Sequence, residues 1–100
     1  MKLHIQSIHF DADQKLIDYI QKKIDKLDTF YDRIIDGEVF LKVDKDSHQE
    51  NKILEVKINI PGHNLFVKER SRTFEAAADE ALEALKAQVK KHKEKVAEHV

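Results

Sequence analysis

The sequence predicts an α+β fold, a two-layer sandwich in the order β-α-β-β-β-α with two helices on one face of a four-stranded sheet. Two observations carry this. Four segments alternate apolar and polar residues at period two, and two longer segments repeat apolar residues at helical spacing. A third observation sets the topology. The last three alternating segments follow one another with only polar or turn-forming joins, as in a meander.

The opening "KLHIQSIHF" places Leu3, Ile5 and Ser7 on one face and His4 and Gln6 on the other. Asp13, in "DADQ", is a good N-cap because its carboxylate can accept from an unpaired amide of the first turn. Phe10 just upstream is expected to pack back on that helix start. From Gln14 to about Tyr31, residues Leu16, Ile17, Ile20, Ile24, Leu27 and Tyr31 recur at helical spacing, which predicts one continuous helix.

"GEVFLKVD" then alternates, with Val39, Leu41 and Val43 inward, and "KILEVKINI" follows with Leu54, Val56, Ile58 and Ile60 inward. Between them the polar stretch around Asp44–Lys52 reads as the longest loop. "PGHN" supplies a tight turn, since Pro61 pre-sets φ and Gly62 tolerates positive φ. "LFVKER" reads as a short fourth strand. Thr73 caps a long second helix from Phe74 to about Ala97. Its apolar stripe holds Phe74, Ala78, Leu82, Leu85, Val89 and Val96.

One hundred residues amount to a single domain, residues 1–100, with room for one modest core. There is no cysteine, hence no disulfide framework and no thiolate nucleophile. No apolar run approaches a membrane span, and the N-terminus has no signal-peptide core, so a cytoplasmic protein without a membrane partner is expected. The only glycines, Gly37 and Gly62, both read as turn residues, and neither belongs to a phosphate-cradling loop. The six histidines lack helical i, i+4 metal spacing and read as scattered surface residues. No carboxylate pair is placed for acid–base work. The sequence therefore asks for no cofactor and no metal, and an enzyme is not expected.

The charges say more. Charged residues make up 37% of the chain, yet the net charge is −1, so overall attraction to a polyanion is not available. Polyanion binding needs segregated charge. On the first helix Lys15, Lys22 and Lys26 form one stripe beside another of Asp18, Asp25, Asp28 and Asp32. Like charges at i, i+4, as in Lys22/Lys26, disfavour the helix by roughly a few tenths of a kcal/mol. The second helix separates charge along its length. Glu75, Asp79, Glu80 and Glu83 precede Lys86, Lys90, Lys91, Lys93 and Lys95, with Glu94 the one acid among them. The macrodipole explains that direction, but its effect fades within a turn whereas the lysines run for about three. They also fall in two rows, Lys86, Lys90 and Lys93 on one flank of the apolar stripe and Lys91 and Lys95 on the other. Two rows suit a phosphate backbone. Phe40 and Phe66, outward on their strands, can pair with each other, meet a partner or stack on bases.

Two segments, "DKLDTFYDRI" and "TFEAAADEALEALKAQVKKHKEKV", in this order of elements, resemble the ribosome hibernation promoting factor and ribosome-associated inhibitor family, also called sigma-54 modulation proteins. The resemblance covers essentially the whole chain. It implies a fold like the double-stranded RNA-binding domain, no catalysis, and binding to the small ribosomal subunit in the channel between head and platform. There such proteins overlap the messenger RNA path and the tRNA sites and block initiation in stationary phase or stress. Their partner is ribosomal RNA, not DNA. Some short members act with a separate ribosome modulation factor. The resemblance carries basic site positions onto Lys23, Lys26, Arg33, Lys42, Lys91, Lys93 and Lys95, with His92 matching some members. Lys22, Lys86 and Lys90 join them from the charge pattern alone. Relatives often carry bases where this chain has Ala84 and Ala87. The chain ends at Val100 and so resembles the short form without a C-terminal dimerisation domain. A generic double-stranded RNA-binding module, and a protein-interaction domain using the open sheet face, are the alternatives.

Overall fold

The alternating segments do form strands, and each buries the face that its pattern assigns to the core. In the computed structural model, which describes residues 1–98 and side chains as far as Lys95, β1 spans Leu3–Ser7, β2 Asp36–Val43, β3 Lys52–Ile60 and β4 His63–Ser71. The helices are α1, Gln14–Asp25, and α2, Phe74–Glu98. The expected stripe position Val96, and His99 beyond it, lie outside the described side chains. The sheet order is β1-β2-β3-β4. β1 runs parallel to β2, with α1 as the crossover, while β2-β3-β4 form the antiparallel meander.

One core lies between the sheet and the helices. Val39, Leu41, Leu54, Val56 and Ile58 from the sheet are fully buried against Ile20, Ile24, Leu27 and Leu85. Ala77, Ala78 and Ala81 are also fully buried on α2. No polar or charged residue is buried among the described residues. The helices therefore share one face, and every charge is displayed at the surface or along the edges.

The first helix is shorter than its apolar spacing predicts. After Asp25 the chain tightens into a 3-10 turn over Lys26–Thr29. Two local bonds account for this. The Thr29 hydroxyl donates to the Lys26 carbonyl at 2.7 Å, taking the acceptor that the Phe30 amide would use in an α-helix. The Phe30 amide donates instead to the Leu27 carbonyl, 2.9 Å away. Leu27 stays in the core, while Tyr31 lies past the helix, partly buried. The start of α1 is as expected. Asp13 accepts from the Leu16 amide at 2.8 Å. Phe10, however, packs elsewhere: its ring stacks on Phe74 at 5.5 Å, tying the β1–α1 connection to the first turn of α2. Thr73 caps that turn by accepting from the Ala76 amide at 3.0 Å.

β4 is longer than "LFVKER", because Pro61 and Gly62 form a two-residue turn that pairs His63 directly with Ile60. Gly62 takes a φ of 72°, in the left-handed region that favours glycine. Gly37 is not a turn residue. It is buried within β2, where a Cβ would stand 2.6 Å from Leu3 Cδ2 and 2.9 Å from Ile58 Cδ1. The missing side chain lets Leu3 and Ile58 close over the strand from either side. Gly37→Ala should therefore lower stability by about 1–3 kcal/mol through overpacking. Urea unfolding should show a lower midpoint at an unchanged slope. An unchanged midpoint would show that Leu3 and Ile58 give way freely.

Candidate nucleic-acid interface

The two helices lie side by side and run in the same direction. The Tyr19 hydroxyl donates to Asp79, Phe30 lies under Lys86, and Tyr31 meets His92 edge-on at 5.8 Å. Contacts thus advance together along both chains. This brings Lys23 and Lys26 of the first helical segment to the same seam as one lysine row of α2.

The early part of the seam is internally neutralised. Lys23 is 3.0 Å from Asp79, and Lys86 is 3.5 Å from Glu83. The Tyr19 hydroxyl, then Lys23, hold the Asp79 carboxyl below its ordinary range against some desolvation. The same contacts with Asp79 raise Tyr19 and Lys23 above theirs. Lys26, exposed, also acts on Asp79 through its charge. Lys22 is exposed on α1.

Beyond Val89 the balance changes. Val89 is the last buried residue of α2 among the described side chains, and Lys90, Lys91, Lys93 and Lys95 are all exposed. None of the four makes an ion pair among the described residues. The two predicted rows occupy different sides. Lys86, Lys90 and Lys93 surround Phe30, and the Lys93 ammonium donates to the Phe30 carbonyl. Lys91 and Lys95 line a second recess with His63, Leu65, Gln88, His92 and Glu94. Ala87 is exposed between these bases, whereas Ala84 packs against the core.

Lys42 is not brought to this seam. It lies on the open face of the sheet, 2.7 Å from Glu55. Cross-strand neighbours on that face also match opposite charges, as in Glu38 with Lys57 and Glu55 with Lys68. Arg70 is paired with Asp44 at 2.8 Å, which holds that carboxyl below its ordinary range. Phe40 and Phe66 do not pair, since β3 separates them and Phe66 stands opposite Lys57 while Phe40 stands opposite Glu55. Phe66 is 50% exposed. Arg33 is exposed in the connection to β2.

Three arrangements were not legible in the charge pattern. His63 and His92 are not scattered: their rings stack at 5.9 Å with an interplanar angle of 3°. Only the β4 register places them together. The aspartate stripe of the first helix has a local use, because Asp25 and Asp28 accept from the Met1 ammonium at 3.0 and 2.6 Å and raise its pKa. Finally, Phe30 stands in the lysine row, although its spacing gave it no role. Among the described residues no group of three or more His, Asp or Glu side chains could hold a metal ion, and no helix is long and apolar enough to cross a membrane.

The architecture is shared with solved proteins. A ribosomal subunit interface protein from Coxiella burnetii matches with a TM-score of 0.83 at 19% identity, over 93% of this chain and 98% of that one. The N-terminal domain of Protein Y from Thermus thermophilus matches with a TM-score of 0.76 at 25% identity, over 92% and 99%. The fold class is thus one found in a ribosomal subunit interface protein. The chain belongs to the family described as Sigma 54 modulation protein / S30EA ribosomal protein, whose model matches residues 3–97. It is 30% identical to a ribosome hibernation promoting factor of Pseudomonas putida over 95% of this chain and 89% of that one. A factor of the same description from Escherichia coli is 29% identical over 99% of this chain and all of that one. The family resemblance of the two quoted segments is borne out.

The Asp79 tie gives a pH test. Its folded pKa lies below the unfolded value, so the stabilisation is present above about pH 4 and is lost as pH falls through the lowered value. Wild type should be more stable than Asp79→Asn near neutrality. The gap should close in strongly acidic solution, as read from thermal midpoints across a pH series. A gap independent of pH would mean that the carboxylate's charge does not contribute.

Proposed function

We propose that this chain is a ribosome hibernation factor, which occupies the tRNA and messenger RNA channel of the small ribosomal subunit and blocks translation in stationary phase or stress. Its action is steric. The sandwich fills space, and the lysines hold ribosomal RNA phosphates. The observation that carries the reading is the run of exposed lysines on α2 past Val89, none in an ion pair among the described residues, in a chain of the S30EA family whose net charge is −1. Relatives named ribosome hibernation promoting factors support it along almost their whole length.

Of the expected contacts, Lys90, Lys91, Lys93 and Lys95 are the strongest. Lys26 is exposed within charge range of Asp79 on the same seam, while Lys22 is exposed on α1 and Arg33 in the connection to β2. Lys23, Lys86 and Lys42 must give up carboxylate partners before they can hold phosphate. A separate ribosome modulation factor is a further candidate partner.

Cosedimentation with small subunits across a salt series tests the reading. Changing Lys91, Lys93 and Lys95 to Glu should abolish binding at physiological salt. It should also flatten the slope of log affinity against log salt by about two to three. Lys42→Glu should change binding little. Wild-type binding by the triple variant would overturn the proposed grip. A second reading, protein contact through the open sheet face, is favoured by the half-exposed Phe66 on a charge-balanced surface. Association that survives ribonuclease and is lost in Phe66→Ala would support it.

A further inference from the structure

Phe30 is 44% exposed, and it has no place in the core or among the side chains packed against it. The 3-10 turn before it directs the ring outward, toward α2. There it meets lysines. The Lys86 ammonium lies 4.5 Å from the ring centroid, and the ring shares a recess of about 320 Å³ with Lys86, Val89, Lys90 and Lys93. Phe30 and Lys93 also border a more polar recess with Asp28, Thr29, Tyr31 and Asp32. The Lys86 contact offsets only part of the cost of leaving the ring half in water. The three lysines of the first recess favour an anionic partner on that side.

We propose that Phe30 is a stacking platform for one unpaired RNA base, with Lys90 and Lys93 holding the adjoining phosphates. This deepens the proposed function and rests on it. Nucleic acid alternates a flat apolar base with a charged phosphate at a spacing that an aromatic flanked by lysines can match, and such platforms accept any base because every base has a π face. Val89, buried beneath the recess, supplies an apolar floor. Lys86 lies over the ring, so the base takes its place on this lysine-lined side once Lys86 turns to a phosphate, away from Asp28 and Asp32. The turn is cheap, because its only ion pair among the described residues is with exposed Glu83 at 3.5 Å. A duplex offers no unstacked base, so the platform prefers single-stranded or bulged RNA.

The chain has no tryptophan, so Phe30→Trp makes a single fluorescent reporter at the platform. Three measurements are combined. The first is binding of wild type, Phe30→Leu and Phe30→Trp to small ribosomal subunits. The second is fluorescence of Phe30→Trp on adding the subunits, and then on adding oligoadenylate or an RNA duplex. The third is the thermal midpoint of each variant, which an exposed position should leave near wild type. Phe30→Leu should bind subunits about 5- to 100-fold more weakly, with an unchanged salt slope, because it loses stacking and no charge. Phe30→Trp should bind like wild type and be quenched by subunits and by oligoadenylate, much less by the duplex. Subunit binding by Phe30→Leu at wild-type strength, or Phe30→Trp bound but unquenched, would overturn the platform while leaving the ribosome reading intact. If wild type does not bind subunits, the ribosome reading fails, and oligoadenylate quenching alone decides whether the platform exists. Phe30→Leu weakened toward subunits without quenching of Phe30→Trp would indicate a protein contact and would likewise overturn it.

Discussion

Three alanines set how close the two layers can come. Ala77, Ala78 and Ala81 are fully buried on one side of α2, where larger residues would lift the helix off the sheet and away from α1. Close packing at this point lets Tyr19 reach Asp79, and it fixes the register in which the 3-10 turn meets the second half of α2. The charged seam depends on that register. A helix displaced by one methyl layer would still bury Leu85 and Val89, but it would not hold Phe30 among three lysines.

A second constraint is the absence of buried polar groups among the described residues. With the core wholly apolar, charge can be arranged only over the surface, and the fold gives its surfaces different treatments. The open sheet face alternates opposite signs across neighbouring strands, so its field cancels over a few ångströms. The early seam cancels by direct pairing. The stretch Lys90–Lys95 does neither, with four lysines against Glu94. A chain with almost no net charge thereby keeps one basic stretch, and it does so by position rather than by composition.

Much of the fold could be read from periodicity. The four strands, both helix caps and the inward residues of β2 and β3 were legible because alternation and capping are local. The α1–3-10 boundary was not, because Leu27 and Tyr31 keep helical spacing whether or not the Thr29 hydroxyl intercepts the Lys26 carbonyl. Gly37 looked like punctuation because its reason is tertiary: the approach of Leu3 from a parallel strand and Ile58 from an antiparallel one. The lysine rows of α2 were legible from a helical wheel, which predicts flanks correctly within one helix. A wheel cannot say which flank faces Phe30 and which faces His63. Nor could it show that Lys42 sits on the far side of the sheet with a carboxylate of its own.

The lysine-rich stretch of α2 has a further consequence. From Lys90 to Lys95 no residue is buried and only His92 packs inward, on Tyr31 and His63, while Lys90 and Lys93, and Lys91 and Lys95, repel at i, i+3 and i, i+4 with Glu94 the one acid among them. That repulsion is a standing cost of the free protein, uncompensated by burial. A bound polyanion removes it, so part of the binding free energy is relief of strain already present in the helix rather than new contact. The segment is least stable when it has nothing to hold, and its order and its ligand are linked through the same charges.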